Sequence, residues 1–352
     1  MKRACIISPN GVSDVGGVER VMLYAARALA EGGYRVRILD RARLERSALG
    51  RLSRPLRRGP LGYVAESAAL SLLAAATAKE GELLIGNGFS AFLAPADILF
   101  CHGSMRGFRF AVKGRRSAGW RPEELLEAAA GRRAKLLAAV SRRAGREWAR
   151  MYGAPASRIR VLQNTVDDGA FLPDGARRAP GPVRVLFIGR LGHAKGVDRI
   201  ARVAELSDGG ELQFVVAAPA RVNVGELECM PGIEWRIGVK LDELPALYRS
   251  CDVMYLPSRY EGFEMVSLEA LSSGLPVVGS RVGGVAELAA EGFPGVYPVD
   301  ADRPEAARAA IMAAAADWRE PERKALLHRA CAERYGLAAW GRRLRELARD
   351  AR

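Results

Sequence analysis

Short apolar runs alternate with helix-length amphipathic stretches along most of this chain, and few architectures accept that alternation. Runs such as Val183–Ile188, Val253–Leu256 and Ile98–Cys101 have the length of buried strands, and the stretches between them are long enough for crossover helices. That is the pattern of βαβ units with parallel sheets, the α/β class. The opening strand, Arg3–Ser8, leads past Gly16-Gly17 into a helix from Val18 to Glu31, with Val21, Ala25, Ala28 and Leu29 on one face. Gly32-Gly33 ends it, and Val36–Leu39 is the next strand. Leu83–Ile85, Leu212–Ala217 and Val277-Val278 complete the buried-strand candidates.

A chain of 352 residues is too long for one core and suits two domains. Between Pro173 and Pro182 the sequence P-D-G-A-R-R-A-P-G-P breaks both periodicities. This places an N-terminal domain at residues 1–175, a second domain at 183–335 and a helical tail at 336–352. The start, Met1-Lys2-Arg3, is followed by only four apolar residues before Ser8-Pro9, so it reads as a strand rather than a secretion signal. Ala68–Ala78 is about half as long as a membrane-spanning helix. Five scattered cysteines argue against a disulfide framework, and no histidine has a partner at metal-ligand spacing, so a cytoplasmic chain with no metal site is expected.

Charge is distributed unevenly. Residues 1–180 hold 31 Lys and Arg against 16 Asp and Glu, while residues 181–352 hold 23 against 24. Two runs stand out: Arg41, Arg43, Arg46, Arg51, Arg54, Arg57 and Arg58; and Arg106, Arg109, Lys113, Arg115, Arg116 and Arg121, interleaved with Phe108, Phe110 and Trp120. One reading is a solvated basic face. The other is a lobe that meets an anionic membrane leaflet or a phosphate-linked acceptor.

The densest motif is E-G-F-E-M-V-S-L-E-A-L-S-S-G-L-P-V-V, from Glu261 to Val278. A strand ends at Leu256, and a helix starting near Glu264 and stopping at Gly274 points its N-terminus out of the sheet edge, where free N–H groups favour a phosphate. The spacing of Glu261 and Glu269 lets one carboxylate address a ribose and the other a reacting sugar. The turn G-R-L-G-H-A-K-G (Gly189–Gly196) puts Arg190 and Lys195 at the same edge, two cations suited to a diphosphate. Val15–Arg20 supplies glycines for close backbone approach, and His102-Gly103 follows a strand of the first half.

Taken together, these elements resemble glycosyltransferase family 4. They are Gly16-Gly17-Val18-Glu19-Arg20, His102, Gly189-Arg190 with Lys195-Gly196, Glu261 and Glu269, and Gly274 to Val278 followed by Gly283-Gly284 and Glu287. The resemblance implies a GT-B fold, two Rossmann-like domains with parallel sheets facing across a cleft, and a retaining transfer without a metal. It also implies that Arg190 and Lys195 hold the diphosphate and Glu269 the ribose, with Glu261 and His102 beside the donor sugar. Backbone N–H groups of Gly17, Met265 and Val266 would complete the contacts, and the helix around Trp340–Leu347 would return to the first domain. Glu264 stands where the family usually has glycine, which adds a carboxylate near the sugar. Asn164-Thr165-Val166-Asp167 replaces the usual Asn-Gly-Val-Asp turn.

The expected activity is transfer of a hexose from a UDP- or GDP-linked sugar, a substrate rather than a cofactor, to a lipid-linked or growing glycan. Cell-envelope polysaccharide or lipopolysaccharide synthesis is the setting, in the cytoplasm or peripherally on the inner face of the membrane. Two rivals stay open. A sugar-nucleotide epimerase would use the same scaffold without an acceptor, and a basic nucleic-acid-binding protein would show steeply salt-dependent binding but leave the charge-balanced second half unexplained. Nucleic acid is not an expected partner.

Overall fold

The computed structural model describes residues 2–13, 16–58, 61–114, 119–174, 179–207, 210–220 and 232–352. Two compact units divide the chain: Met1–Asn164 with Ala338–Arg352, and Thr165–Leu337. The division thus lies ahead of the turn-rich stretch at 173–182, of which residues 175–178 fall outside the described residues.

The first unit contains a six-stranded parallel sheet, β1 (Lys2–Ile7), β2 (Tyr34–Leu39), β3 (Glu82–Asn87), β4 (Ile98–Cys101), β5 (Leu136–Ala139) and β6 (Ile159–Val161), in the order β2-β1-β3-β4-β5-β6. The second contains β7 (Val183–Ile188), β8 (Leu212–Ala218), β9 (Ile233–Ile237), β10 (Val253–Leu256), β11 (Val277–Ser280) and β12 (Val296–Val299), in the order β12-β11-β10-β7-β8-β9. All described ladders are parallel. Central strands are apolar along most of their length because helices cover both faces, with polar residues such as Arg184 and Gln213 near their starts, and Val185, Phe187, Val216, Tyr255 and Val278 share one core with Ile200, Ile311 and Ala314.

Each sheet reverses its winding direction once, between β1 and β3 in the first unit and between β7 and β10 in the second. Loops at the carboxyl ends of those strands part there, which is where open α/β sheets bind ligands. The last helix, Leu337–Asp350, buries Trp340, Leu344, Leu347 and Ala348, spaced as one helical face. From residue 338 it belongs to the first unit, where Trp340 Nε1 donates to the Gln163 carbonyl (2.8 Å) and Arg345 to that of Ala28 (3.0 Å). Among the described residues, no helix is long and apolar enough to cross a membrane.

Candidate active site

In the second unit, the loops leaving β7 and β10 are bonded to each other. Gly196 closes the first loop with φ of +73°, and a Cβ there would lie 2.1 Å from the Pro257 carbonyl oxygen, so only glycine allows the approach. Arg259 ties the pair: its N–H donates to the Ala194 carbonyl (2.8 Å) and its guanidinium to the His193 carbonyl (2.8 Å) and both Asp198 oxygens (2.7 Å each). The hydrogen bond from Arg259 holds the Asp198 carboxyl below its usual range. Buried Arg199 adds a second tie, donating to the Pro257 carbonyl (2.8 Å) and to Asp302 (2.8 and 2.6 Å).

Within this frame Lys195 Nζ donates to Glu261 Oε1 at 2.5 Å, and Ser258 Oγ donates to the same oxygen at 2.7 Å. The structure therefore brings the predicted cation and the first predicted glutamate into direct contact. Arg190 is exposed on the same loop and has no ion pair among the described residues. The helix Met265–Ser272 starts where the β10 loop ends, and the N–H groups of Met265 and Val266 lie in its first turn, which leaves them without intrahelical partners.

Two carboxylates behave differently from a reading of spacing alone. Glu269 has no exposed surface, and its Oε2 accepts from the Tyr248 hydroxyl at 2.8 Å. Glu264 is buried. Its oxygens accept the N–H groups of Gly284 (2.8 Å) and Val285 (3.0 Å), so it caps the helix Gly283–Ala290. Burial, with the nearby charge of Glu261, pushes its carboxyl up to about 7. The neighbouring glycines make the room: a Cβ on Gly283 would lie 2.3 Å from Glu261 Cβ, and one on Gly284 2.8 Å from Glu264 Oε1.

In the first unit, Gly17 opens the helix Gly17–Glu31, with Gly16 at φ +84° before it; Asp14 and Val15 lie outside the described residues. His102 follows β4, its ring stacked on Phe100 with centroids 6.1 Å apart. Its Nε2 is buried without a hydrogen-bond partner among the described residues, and burial drops its pKa to about 4, so the imidazole is neutral at neutral pH. The chain after it is pinned from below: Trp148 Nε1 donates to the Gly103 carbonyl (2.7 Å), and Glu127 accepts the Met105 N–H (2.9 Å) and the Tyr152 hydroxyl. Burial raises the Glu127 carboxyl to about 7.

Sequence reasoning missed Tyr248, the Arg259–Asp198 tie and the Glu127–Tyr152 pair, because each depends on partners 21 to 61 residues apart. Among the described residues, no three His, Cys, Asp or Glu side chains gather as a metal site.

The two units match two descriptions of one class of enzyme. Residues 15–169 match Glycosyltransferase Family 4 and residues 182–317 match Glycosyl transferases group 1, so the chain is a glycosyltransferase of the family 4 type with the two-domain GT-B fold. An uncharacterized glycosyltransferase of Methanocaldococcus jannaschii, MJ1607, is 30% identical over 183 residues, 46% of this chain and 47% of that protein. The chain spans about half the length of the curated relatives it matches. Among solved structures, sucrose-phosphate synthase from Thermosynechococcus elongatus superposes with a TM-score of 0.77 at 18% identity, covering 99% of both chains. Anabaena HepE in complex with UDP-glucose gives 0.68 at 17% identity, covering 99% of this chain and 100% of that one.

Proposed function

We propose that the chain is a retaining, metal-independent hexosyltransferase that takes a UDP- or GDP-linked sugar and extends a lipid-linked or growing envelope glycan, such as a lipopolysaccharide. The carrying observation is the bonded loop pair of the second unit, where Arg190 and Lys195 project from one loop and Glu261 from the other at the strand-order reversal. The Anabaena protein's complex with UDP-glucose supports a nucleotide-sugar donor.

In this reading Arg190, Lys195 and the N–H groups of Met265 and Val266 bind the diphosphate. Glu269, held by Tyr248, fixes the ribose side, and Glu261 orients the donor sugar. The bond from the anomeric carbon to phosphate oxygen breaks, and its electron pair leaves with the nucleoside diphosphate. The acceptor oxygen bonds to that carbon on the same face, and its proton passes to the departing phosphate oxygen. Arg190 and Lys195 stabilise the charge that builds on the leaving group, and fixed donors of this sort are each worth about 3 to 4 kcal/mol. In the first unit, the family resemblance gives the Gly17 N–H a phosphate contact and neutral His102 a sugar contact. The protein works in the cytoplasm or on the inner membrane face.

A thermal-shift panel of nucleoside diphosphates tests the donor. UDP or GDP at about 100 times its dissociation constant stabilises by about 2.7 kcal/mol. No shift with either ends the nucleotide-sugar reading, and product formed from donor alone would make the enzyme an epimerase instead.

A further inference from the structure

The first arginine run folds into a surface that a protein in water alone has no reason to build. Asp40 caps the helix Arg41–Glu45 at the carboxyl end of β2, its side chain accepting the Arg43 N–H at 2.8 Å. Arg41 then locks onto Glu66 of the helix Gly62–Ala76 (2.8 Å), and Arg57 folds back onto the Gly50 carbonyl (2.9 Å). The other five arginines, Arg43, Arg46, Arg51, Arg54 and Arg58, are exposed.

On a separate side of the helix that carries Arg51 and Arg54 lies an apolar strip. On the helix Ala48–Arg57, Leu52 and Leu56 sit one turn apart on the same face and are 79% and 69% exposed. Leu61, 56% exposed, lies against the helix end, since a Cβ on the next residue, Gly62, would be 2.1 Å from the Arg57 carbonyl oxygen. Gly50 and Ser53 form the buried side. Around the helix the order is therefore buried, leucine, arginine. These are the most exposed of the large apolar side chains described, and they are grouped rather than scattered.

We propose that this leucine–arginine face docks the protein on an anionic phospholipid bilayer, with Leu52, Leu56 and Leu61 entering the headgroup–acyl boundary and Arg51, Arg54 and Arg58 meeting lipid phosphates. The occupant follows from chemistry: leucines gain only where hydrocarbon receives them, and the flanking guanidiniums gain where that hydrocarbon carries negative headgroups. A nucleic-acid phosphate backbone would use the arginines and leave the leucines in water. The proposal builds on the lipid-linked acceptor reading, and it concerns the same unit and the same carboxyl sheet edge that hold Gly17 and His102.

The test is co-sedimentation of the full chain with phosphatidylcholine vesicles and with vesicles of phosphatidylcholine mixed with phosphatidylglycerol. Binding is expected to the anionic vesicles only and to weaken with salt. Leu52→Ser with Leu56→Ser lowers the partition coefficient at least about tenfold. Arg51→Gln and Arg54→Gln each lower it about fivefold. Both pairs are exposed, so UDP- or GDP-induced thermal stabilisation stays unchanged. Absence of sedimentation, equal sedimentation with neutral vesicles, or indifference to the leucine substitutions overturns the proposal. So does binding of a labelled oligonucleotide that needs the arginines and ignores the leucines. Because the readout requires no turnover, a failed vesicle assay with an intact nucleotide shift condemns the docking face alone, and the reverse result condemns the transferase reading alone.

Discussion

The loops that bear the site candidates differ in electrical character between the two sheets. On the second, Lys195 meets Glu261, Arg259 meets Asp198 and Arg199 meets Asp302, so that opposed charges cross-link loops that would otherwise part. On the first, the arginines follow β2, while the loops that bear the site candidates carry glycines and an imidazole whose proton affinity burial has lowered. Paired ions keep a cation in place before a polyanion arrives, at the cost of competing with it, whereas a neutral ring asks nothing of a substrate except a hydrogen bond. Under the proposed function, the contrast would leave the charge of the diphosphate mainly to Arg190 and Lys195 and give His102 an uncharged contact.

Removing Lys195 tests that contrast most severely. Lys195→Ala deletes one fixed charge for the diphosphate and strands Glu261, and it should cut turnover about 100- to 1,000-fold, or 3 to 4 kcal/mol. Steady-state rates with the donor found in the thermal-shift panel read this out. Near-normal turnover would mean that the ion pair is structural and that the diphosphate is held elsewhere.

The crowding of the second edge can be measured through backbone alone. Gly196→Ala must accept both a positive φ and a Cβ placed 2.1 Å from a carbonyl oxygen, and it should cost about 3 kcal/mol or more in urea denaturation. Gly153→Ala, in the first unit, has φ of +69° but open space around its Cβ, and it should cost only about 1 kcal/mol. Equal losses would show that strain, rather than loop contact, governs both.

Proton linkage gives a smaller difference with a definite sign. Glu264 holds its proton up to about pH 7 in the folded state, against 4.5 for a carboxyl in water, because burial and Glu261 disfavour its charge. Folded protein binds more protons than unfolded chain in that window, so the wild type should lose roughly 2 kcal/mol of stability relative to Glu264→Gln as pH rises through it. Urea midpoints at about pH 5 and about pH 8 suffice to test the linkage. A difference that grows in favour of the wild type instead would show that the N–H groups of Gly284 and Val285 hold the carboxylate charged.

How much of this was legible in advance depended on where each element sits. Ile98–Cys101, Val183–Ile188 and Val253–Leu256 were readable to the residue, because a strand buried on both faces is apolar along most of its length, Arg184 near the start of the second being the exception, and ends at turn formers. The edge strands Ile159–Val161, Ile233–Ile237 and Val296–Val299 were not, since each is partly exposed and carries Arg160, Glu234 or Pro298 inside it. Charge was legible as a count but not as a role. Two members of the second basic run are engaged internally: Arg109 is buried on Glu124 (2.6 Å), and Arg106 lies over the Trp120 ring (4.3 Å) and pairs with Glu124 (3.2 Å), whereas Lys113 and Arg121 are exposed. Arg115 and Arg116 of that run lie outside the described residues. In the first run Arg41 pairs with Glu66 and Arg57 with Glu45, while Arg43, Arg46, Arg51, Arg54 and Arg58 stay exposed. In the same way Glu261 was legible from its motif, while the inward turn of Glu264 was not, because its partners are 20 and 21 residues away.

The smallest expected effect belongs to the first edge. His102 is neutral, buried at Nε2 and stacked on Phe100, so whatever it gives a substrate is one uncharged hydrogen bond and a shape. A neutral bond of that kind is worth about 1 kcal/mol, and His102→Gln should lower turnover about tenfold, close to 1.4 kcal/mol. The pH profile separates this from a charged role. With its pKa near 4, His102 contributes no titration to the rate between about pH 6 and pH 8, so wild type and His102→Gln should differ by a constant factor across that range. A ratio that changes tenfold per pH unit would instead require imidazolium in the working enzyme. In that case the loop after β4 would carry charge after all, and its electrical contrast with the loops after β7 and β10 would fall.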